Sequence, residues 1–100
     1  MDKYDIIQRI GYARSKANLS ARGLSQRIGM NDGYINRLET QKNFLPSLEV
    51  LLRIIEVCEM TEDEFFYHNI ADYKQDMELI RDFKNISQAQ KDAILVLIKR

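Results

Sequence analysis

Leu19-Ser20-Ala21-Arg22-Gly23-Leu24-Ser25-Gln26-Arg27-Ile28-Gly29-Met30-Asn31-Asp32-Gly33-Tyr34-Ile35-Asn36-Arg37-Leu38-Glu39 is the stretch on which the fold of this chain turns. Its apolar residues recur at helical spacing in two short runs, Leu24 and Ile28 four apart, then Ile35 and Leu38 three apart. Ser20 offers an N-cap for the first run, a hydroxyl placed to accept from an amide of the opening turn. Gly29 closes that run where a sharp turn calls for a residue free to adopt positive φ. Asn31 is the next N-cap, so the pattern predicts a second helix opening there. Ser25 is small and falls where the two helices would cross, and Met30 can plug the corner between them.

The flanks read at the same period, and no segment alternates in the manner of a strand. Residues 5–16 predict a helix with Ile6, Ile10, Ala13 and Ala17 along one face. Between Thr40 and Pro46 the pattern lapses into a loop. Pro46-Ser47 starts another helix, with Leu48, Leu51, Leu52, Ile55 and Cys58 inward. Thr61-Glu62-Asp63-Glu64 has the form of a capping box, in which Glu64 reaches back to an amide, and it opens a short helix around Phe65 and Phe66. The predicted core is Leu24, Ile28, Ile35, Leu38, Leu51, Leu52 and Ile55. Two short helices meeting at a tight turn with a shared apolar face are the arrangement of a helix-turn-helix, whose second helix is presented outward.

Residues 71–100 read as a C-terminal helical extension to a domain of residues 1–70. Asp72 is the N-cap of a helix carrying Tyr73, Met77, Ile80 and Phe83, and Asn85 breaks it. Ser87-Gln88-Ala89-Gln90 is a second capping-box form and leads into a helix ending at Arg100. Within that helix residues 93–98 are apolar all round, so both of its sides are expected to be covered. Ile94, Leu95, Leu97 and Ile98 are therefore the candidate dimer interface.

Composition narrows the function. The chain has 100 residues, 45% hydrophobic and 30% charged, enough for one compact domain with a real core. One cysteine, Cys58, excludes an internal disulfide framework, and one histidine, His68, argues against a histidine metal cluster. The longest apolar run, residues 93–98, is far short of the ~20 residues a membrane span needs. The opening Met1-Asp2-Lys3-Tyr4-Asp5 lacks the apolar stretch of a signal peptide, so a reduced, cytoplasmic setting is expected. No glycine-rich phosphate loop, His-Glu-x-x-His or Ser/His/Asp set occurs, which predicts a non-enzyme without a cofactor. The net charge of zero hides a division. Residues 1–45 hold eight Lys/Arg against four acids, a balance of +4, and residues 46–100 hold seven against eleven, a balance of −4. A basic half is a feature of polyanion binders.

Residues 7–66 resemble the Xre family, the lambda-repressor-like helix-turn-helix domains of phage and bacterial regulators. The resemblance lies in Leu19-Ser20, Leu24, Ile28-Gly29-Met30, Ile35, Arg37-Leu38-Glu39 and Pro46-Ser47-Leu48-Glu49-Val50-Leu51. It continues through Ile54 and Ile55 to Met60-Thr61 and Phe65. It implies an all-α, five-helix fold, double-stranded operator DNA as ligand and a homodimer. Carried over by position, the base-reading residues are Asp32, Gly33, Asn36 and Arg37, with Tyr34 beside them. Arg37 suits guanine O6/N7 or a phosphate, and Asn36 suits the adenine edge. Asp32 either accepts from cytosine N4 or serves only the helix dipole. Tyr34 either packs on a neighbouring helix or reaches a phosphate. Ser20, Arg22, Gln26, Gln41, Lys42 and Asn43 are candidates for the DNA backbone, with Arg14 and Lys16 adding electrostatic reach. Alternatively, Arg14 is the partner of Glu39, a position the resemblance marks as structural.

The expected function is sequence-specific transcriptional regulation, by a repressor that places the helix of residues 31–39 in the major groove of its operator. An antitoxin or a controller protein would share the same residues, with residues 71–100 taking a protein partner. A helix-turn-helix that has become a protein-interaction module is the reading from a different class, favoured by Asp32, Gly33 and Ala21 where readers or donors would serve DNA better.

Overall fold

A computed structural model describes residues 1–99. These residues form seven α-helices, with no strand among them. They are α1 (Lys3–Lys16), α2 (Ala21–Arg27), α3 (Tyr34–Gln41), α4 (Leu48–Val57), α5 (Glu62–Phe65), α6 (Tyr73–Lys84) and α7 (Gln88–Ile98), with a 3-10 turn at Ile70–Asp72. The chain divides into two compact units, Met1–Ile70 and Ala71–Arg100.

In the first unit, side-chain hydroxyls and carboxylates open four of the five helices. Ser20, Ser47 and Thr61 each accept from the amide three residues on. Asp2 and Asp5 form a reciprocal capping box, so α1 begins two residues earlier than its apolar spacing predicts. Each such cap stabilises its helix by about 1 kcal/mol. Glu64 takes Lys16 as its partner rather than completing the box expected with Thr61.

Three of these helices end alike. At Asn18, Gly29 and Glu59 the backbone turns left-handed, with φ of 57°, 77° and 58°. The amides of these residues and of the ones after them, Leu19, Met30 and Met60, bond back to carbonyls of the last helical turn. That is the Schellman arrangement, and its following residue is apolar in all three cases and packs into or against the core. Met30 thus fills the corner that the sequence assigned to it.

Ile10, Leu24, Ile28, Ile35, Leu38, Ile54, Ile55 and Phe65 are almost wholly removed from water, each side chain contributing roughly 1.5–3 kcal/mol. Two expectations need correction. On α1 the buried stripe is Ile7, Ile10 and Ala13, with Ile6 and Ala17 only partly covered. On α4 it is Leu51, Ile54, Ile55 and Cys58, leaving Leu48 70% and Leu52 42% exposed. Ile54 and Ile55 point inward together, which turns Leu52 to the rim, and Leu48 is the first residue of the helix, at its open end. Arg9 closes the unit from outside, donating to the carbonyls of Phe65, Tyr67 and His68 at the end of α5.

The second unit is a helical hairpin. The Ser87–Gln90 capping box forms as the sequence predicts, with reciprocal bonds of 3.2 and 3.0 Å. Asp72 stands at the N-cap of α6 but makes no side-chain cap bond. Between α6 and α7 lies an open apolar groove of about 600 Å3 lined by Leu79, Ile80, Phe83, Ile86, Ile94 and Ile98. No residue of either helix is buried, and Leu95, Val96, Leu97 and Ile98 stand in solvent. The expected covering of both sides of this helix is therefore not supplied within the hairpin. Arg100, where the helix was predicted to end, lies outside the described residues.

Candidate nucleic-acid interface

The two helices that the sequence singled out, α2 and α3, are joined by residues 28–33 and fixed to one another through Ser25. This residue is fully buried. Its Oγ donates to the Ala21 carbonyl at 2.8 Å and accepts from the Ile35 amide at 3.0 Å. Ile35 is in the first turn of α3, where backbone amides have no partner within the helix. A hydroxyl of α2 thus satisfies an amide that the N-cap of α3, Gly33, has no side chain to reach.

The far end of α3 is held from α1. Arg14 grips Glu39 with two parallel bonds, Nε to Oε1 at 2.8 Å and Nη2 to Oε2 at 2.9 Å, and its Nη1 reaches the Leu19 carbonyl. The hydrogen bond to Glu39 raises the Arg14 pKa, against the opposing effect of burial. Arg14 therefore takes the structural alternative, and Lys16, paired with Glu64, is likewise committed. The electrostatic reach expected of these two cations is compensated inside the fold. Arg53 completes the bracing, donating to the Ile28 carbonyl while Glu49 holds its other nitrogen.

This bracing leaves one face of α3 in water. Asn36 and Arg37 lie on it, exposed and opposite the buried Ile35 and Leu38. Thr40 shares the same face four residues after Asn36, and its Oγ1 donates to the Asn36 carbonyl at 2.7 Å. The sequence reading passed over Thr40, although the i, i+4 spacing from Asn36 is the signal that would have found it. Asn31 is a second omission, since its Oδ1 accepts from Arg37 Nη2 at 3.4 Å and so orients that guanidinium.

Asp32 and Gly33 require correction, because neither lies within the helix. Residues 31–33 form a turn in which the Tyr34 amide donates to the Asn31 carbonyl at 3.1 Å, and α3 starts at Tyr34 with Gly33 as N-cap. Asn-Asp-Gly has strong turn chemistry, which outweighs the capping signal read at Asn31. Of the two alternatives for Tyr34 the structure takes packing, against Phe44 of the segment after α3 rather than against a neighbouring helix. Tyr34 is 8% exposed and meets Phe44 edge-on with ring centroids 5.8 Å apart. Burial pushes its phenol pKa up, partly offset by the charge of Arg37.

The remaining candidates surround the open face. Ser20 is occupied as the N-cap of α2, its Oγ accepting from Gly23, which leaves its hydroxyl proton to donate outward. Arg22 and Gln26, one helical turn apart on α2, are both exposed and both turn to Asp32. Arg22 Nε is 3.2 Å from Oδ2 and Gln26 Nε2 donates to Oδ1 at 3.2 Å. Gln41 is the last residue of α3 rather than part of a loop, Lys42 is its left-handed C-cap with φ of 55°, and Asn43 follows, all three exposed. The structure thus brings Arg22, Gln26 and Asp32 together at the entry of α3. It sets Asn36, Arg37 and Thr40 along its face and Gln41, Lys42 and Asn43 at its exit.

A family model described as a helix-turn-helix domain matches residues 8–65. The chain belongs to the helix-turn-helix domain family. The match runs from α1 to the last residue of α5, the helices that build the core and carry the face just described. Within this helix-turn-helix, α2 is the supporting helix and α3 the one presented to solvent. No curated protein and no solved structure matches the chain.

Proposed function

We propose that this helix-turn-helix protein is a sequence-specific transcriptional regulator of the Xre, lambda-repressor-like kind, and that it represses by occupying an operator rather than by chemistry. The observation that carries the reading is the solvent-facing set Asn36, Arg37 and Thr40 on a helix braced at both ends, by Ser25 and by the Arg14–Glu39 pair. Rigid presentation matters because base readout needs side chains held within a fraction of an ångström of the groove edge. In this reading α3 lies in the major groove, with Arg22, Gln26, Lys42 and Asn43 at the phosphates. The protein acts in the cytoplasm as a homodimer joined through residues 71–100, where Ile94, Leu95, Leu97 and Ile98 supply the contact. Two copies would then meet half-sites about one helical turn apart, ~34 Å.

A second reading, a protein-interaction module, draws on the compensation of Arg14, Lys16 and Arg22 by carboxylates and on the bare apolar surface of α7. Salt titration separates the two. For the regulator, the affinity for a generic duplex falls steeply between about 50 and about 200 mM salt, and Lys42→Ala, which removes a phosphate contact, lowers the magnitude of the slope by about 0.9. Absence of duplex binding at the lowest salt would refute the regulator and leave the interaction module.

A further inference from the structure

Asp32 stands out among the groups around α3 because it is the one acid at the leading end of a face otherwise made of donors and cations. It does not act as a helix cap. The N-cap of α3 is Gly33, and no side-chain cap bond is made there. Both carboxylate oxygens turn instead to α2, one to Arg22 Nε and one to Gln26 Nε2, each at 3.2 Å. The Asp32 side chain nevertheless remains 56% exposed, and Arg22 has two terminal nitrogens beyond the one facing Asp32. The result is a carboxylate aimed by two partners and still open to solvent, at the end of the helix that enters the groove first.

The geometry points to Asp32 as a specificity-determining residue that selects cytosine at one position of each half-site. The inference rests on the DNA-binding reading above. A carboxylate only accepts hydrogen bonds. Of the four base edges in the major groove, guanine offers N7 and O6 acceptors, thymine an O4 acceptor and a methyl, and adenine an N7 acceptor beside its amine. Cytosine alone offers a donor with no acceptor next to it. Against any other base the carboxylate meets a lone pair or a methyl, so Asp32 works by rejection as well as by attraction. Arg22 and Gln26 contribute by holding the carboxylate in one place, and the guanidinium offsets part of its repulsion for the phosphates.

The test is parallel selection of duplexes from a random pool by the wild-type chain, Asp32→Ala and Asp32→Asn. Thermal melting of each variant confirms an intact fold, which the exposure of the side chain favours. The wild-type sites should carry a constant cytosine, discriminated from other bases by roughly tenfold. Asp32→Ala should lose that preference while the rest of the site is kept, and Asp32→Asn should move it to adenine, the base an amide reads. Wild-type sites without a constant cytosine would overturn the proposal. So would an Asp32→Ala variant that binds more weakly but selects the same base at every position, since Asp32 would then only brace the turn. A wild-type chain that enriches nothing refutes the regulator reading itself, and the selector falls with it.

Discussion

Replacing Ser25 by Ala removes one buried oxygen and tests the internal joint of the helix-turn-helix. Ser25 and Ile35 are both fully buried, so water cannot replace the bond that the Ile35 amide makes to Ser25 Oγ at 3.0 Å. A buried donor left without a partner costs about 1–3 kcal/mol. Alanine returns roughly 0.5 kcal/mol through its better helix propensity. The missing hydroxyl is too small a loss of volume to add a large cavity term. The net destabilisation is therefore about 1–2 kcal/mol, which for a domain of this size lowers the melting temperature by roughly 5–15 °C. Thermal melting followed by circular dichroism measures it, and amide exchange at Ile35 gives the site-specific counterpart. A melting temperature within a degree or two of the wild type, with the Ile35 amide still protected, would show that Ser25 does not hold the entry of α3.

The left-handed helix ends give a pair of opposite predictions. Gly29→Ala at φ +77° should cost about 1 kcal/mol, although the nearest non-neighbouring atom to the new methyl is Arg53 Nη1 at 3.9 Å, because the strain is in the backbone. Glu59→Gly at φ +58° should stabilise by up to about 1 kcal/mol, and chemical denaturation reads both. The Asp2 cap gives a pH dependence. The bond from the Asp5 amide, the largest cause, holds the folded pKa below the ordinary 3.8. Its contribution is therefore complete well above pH 3.8 and is lost as pH falls through the folded value, so the protection of the Asp5 amide, its exchange relative to the intrinsic rate at each pH, should fall in acid in the wild type and be low throughout in Asp2→Ala. Combining Ile94→Glu with Leu97→Glu should give a monomer by sedimentation equilibrium and weaken operator binding. A variant that stays dimeric would place the contact elsewhere.

Apolar spacing and capping residues made the helices legible, because burial and orphan amides impose demands that few residue types meet. Ser20, Gly29, Ser47 and Ser87 all stand where their chemistry predicted. Legibility failed where the structure chose between equivalent signals. Asn31 and Asp32 look alike as caps, and the turn at residues 31–33 used neither side chain as the cap of α3. Asn18 and Glu59 repeat the turn made at Gly29, yet a glutamate carries no mark of positive φ, so those two ends went unread. On α4 the spacing of Leu48 and Leu52 is as helical as that of Leu51 and Ile55, and only packing decides which pair is covered. The candidate interface was least legible in its partnerships. Arg22, Gln26 and Asp32 were each read singly, and nothing in a linear sequence brings α2 side chains to the turn before α3.

The measurement that bears most directly on the regulator reading is selection from a random duplex pool by the wild-type chain beside an Asn36→Ala/Arg37→Ala double variant. The account predicts a palindrome of two half-sites about 10 base pairs apart for the wild type and its loss in the variant. An identical motif from both proteins would contradict the placement of α3 in the groove.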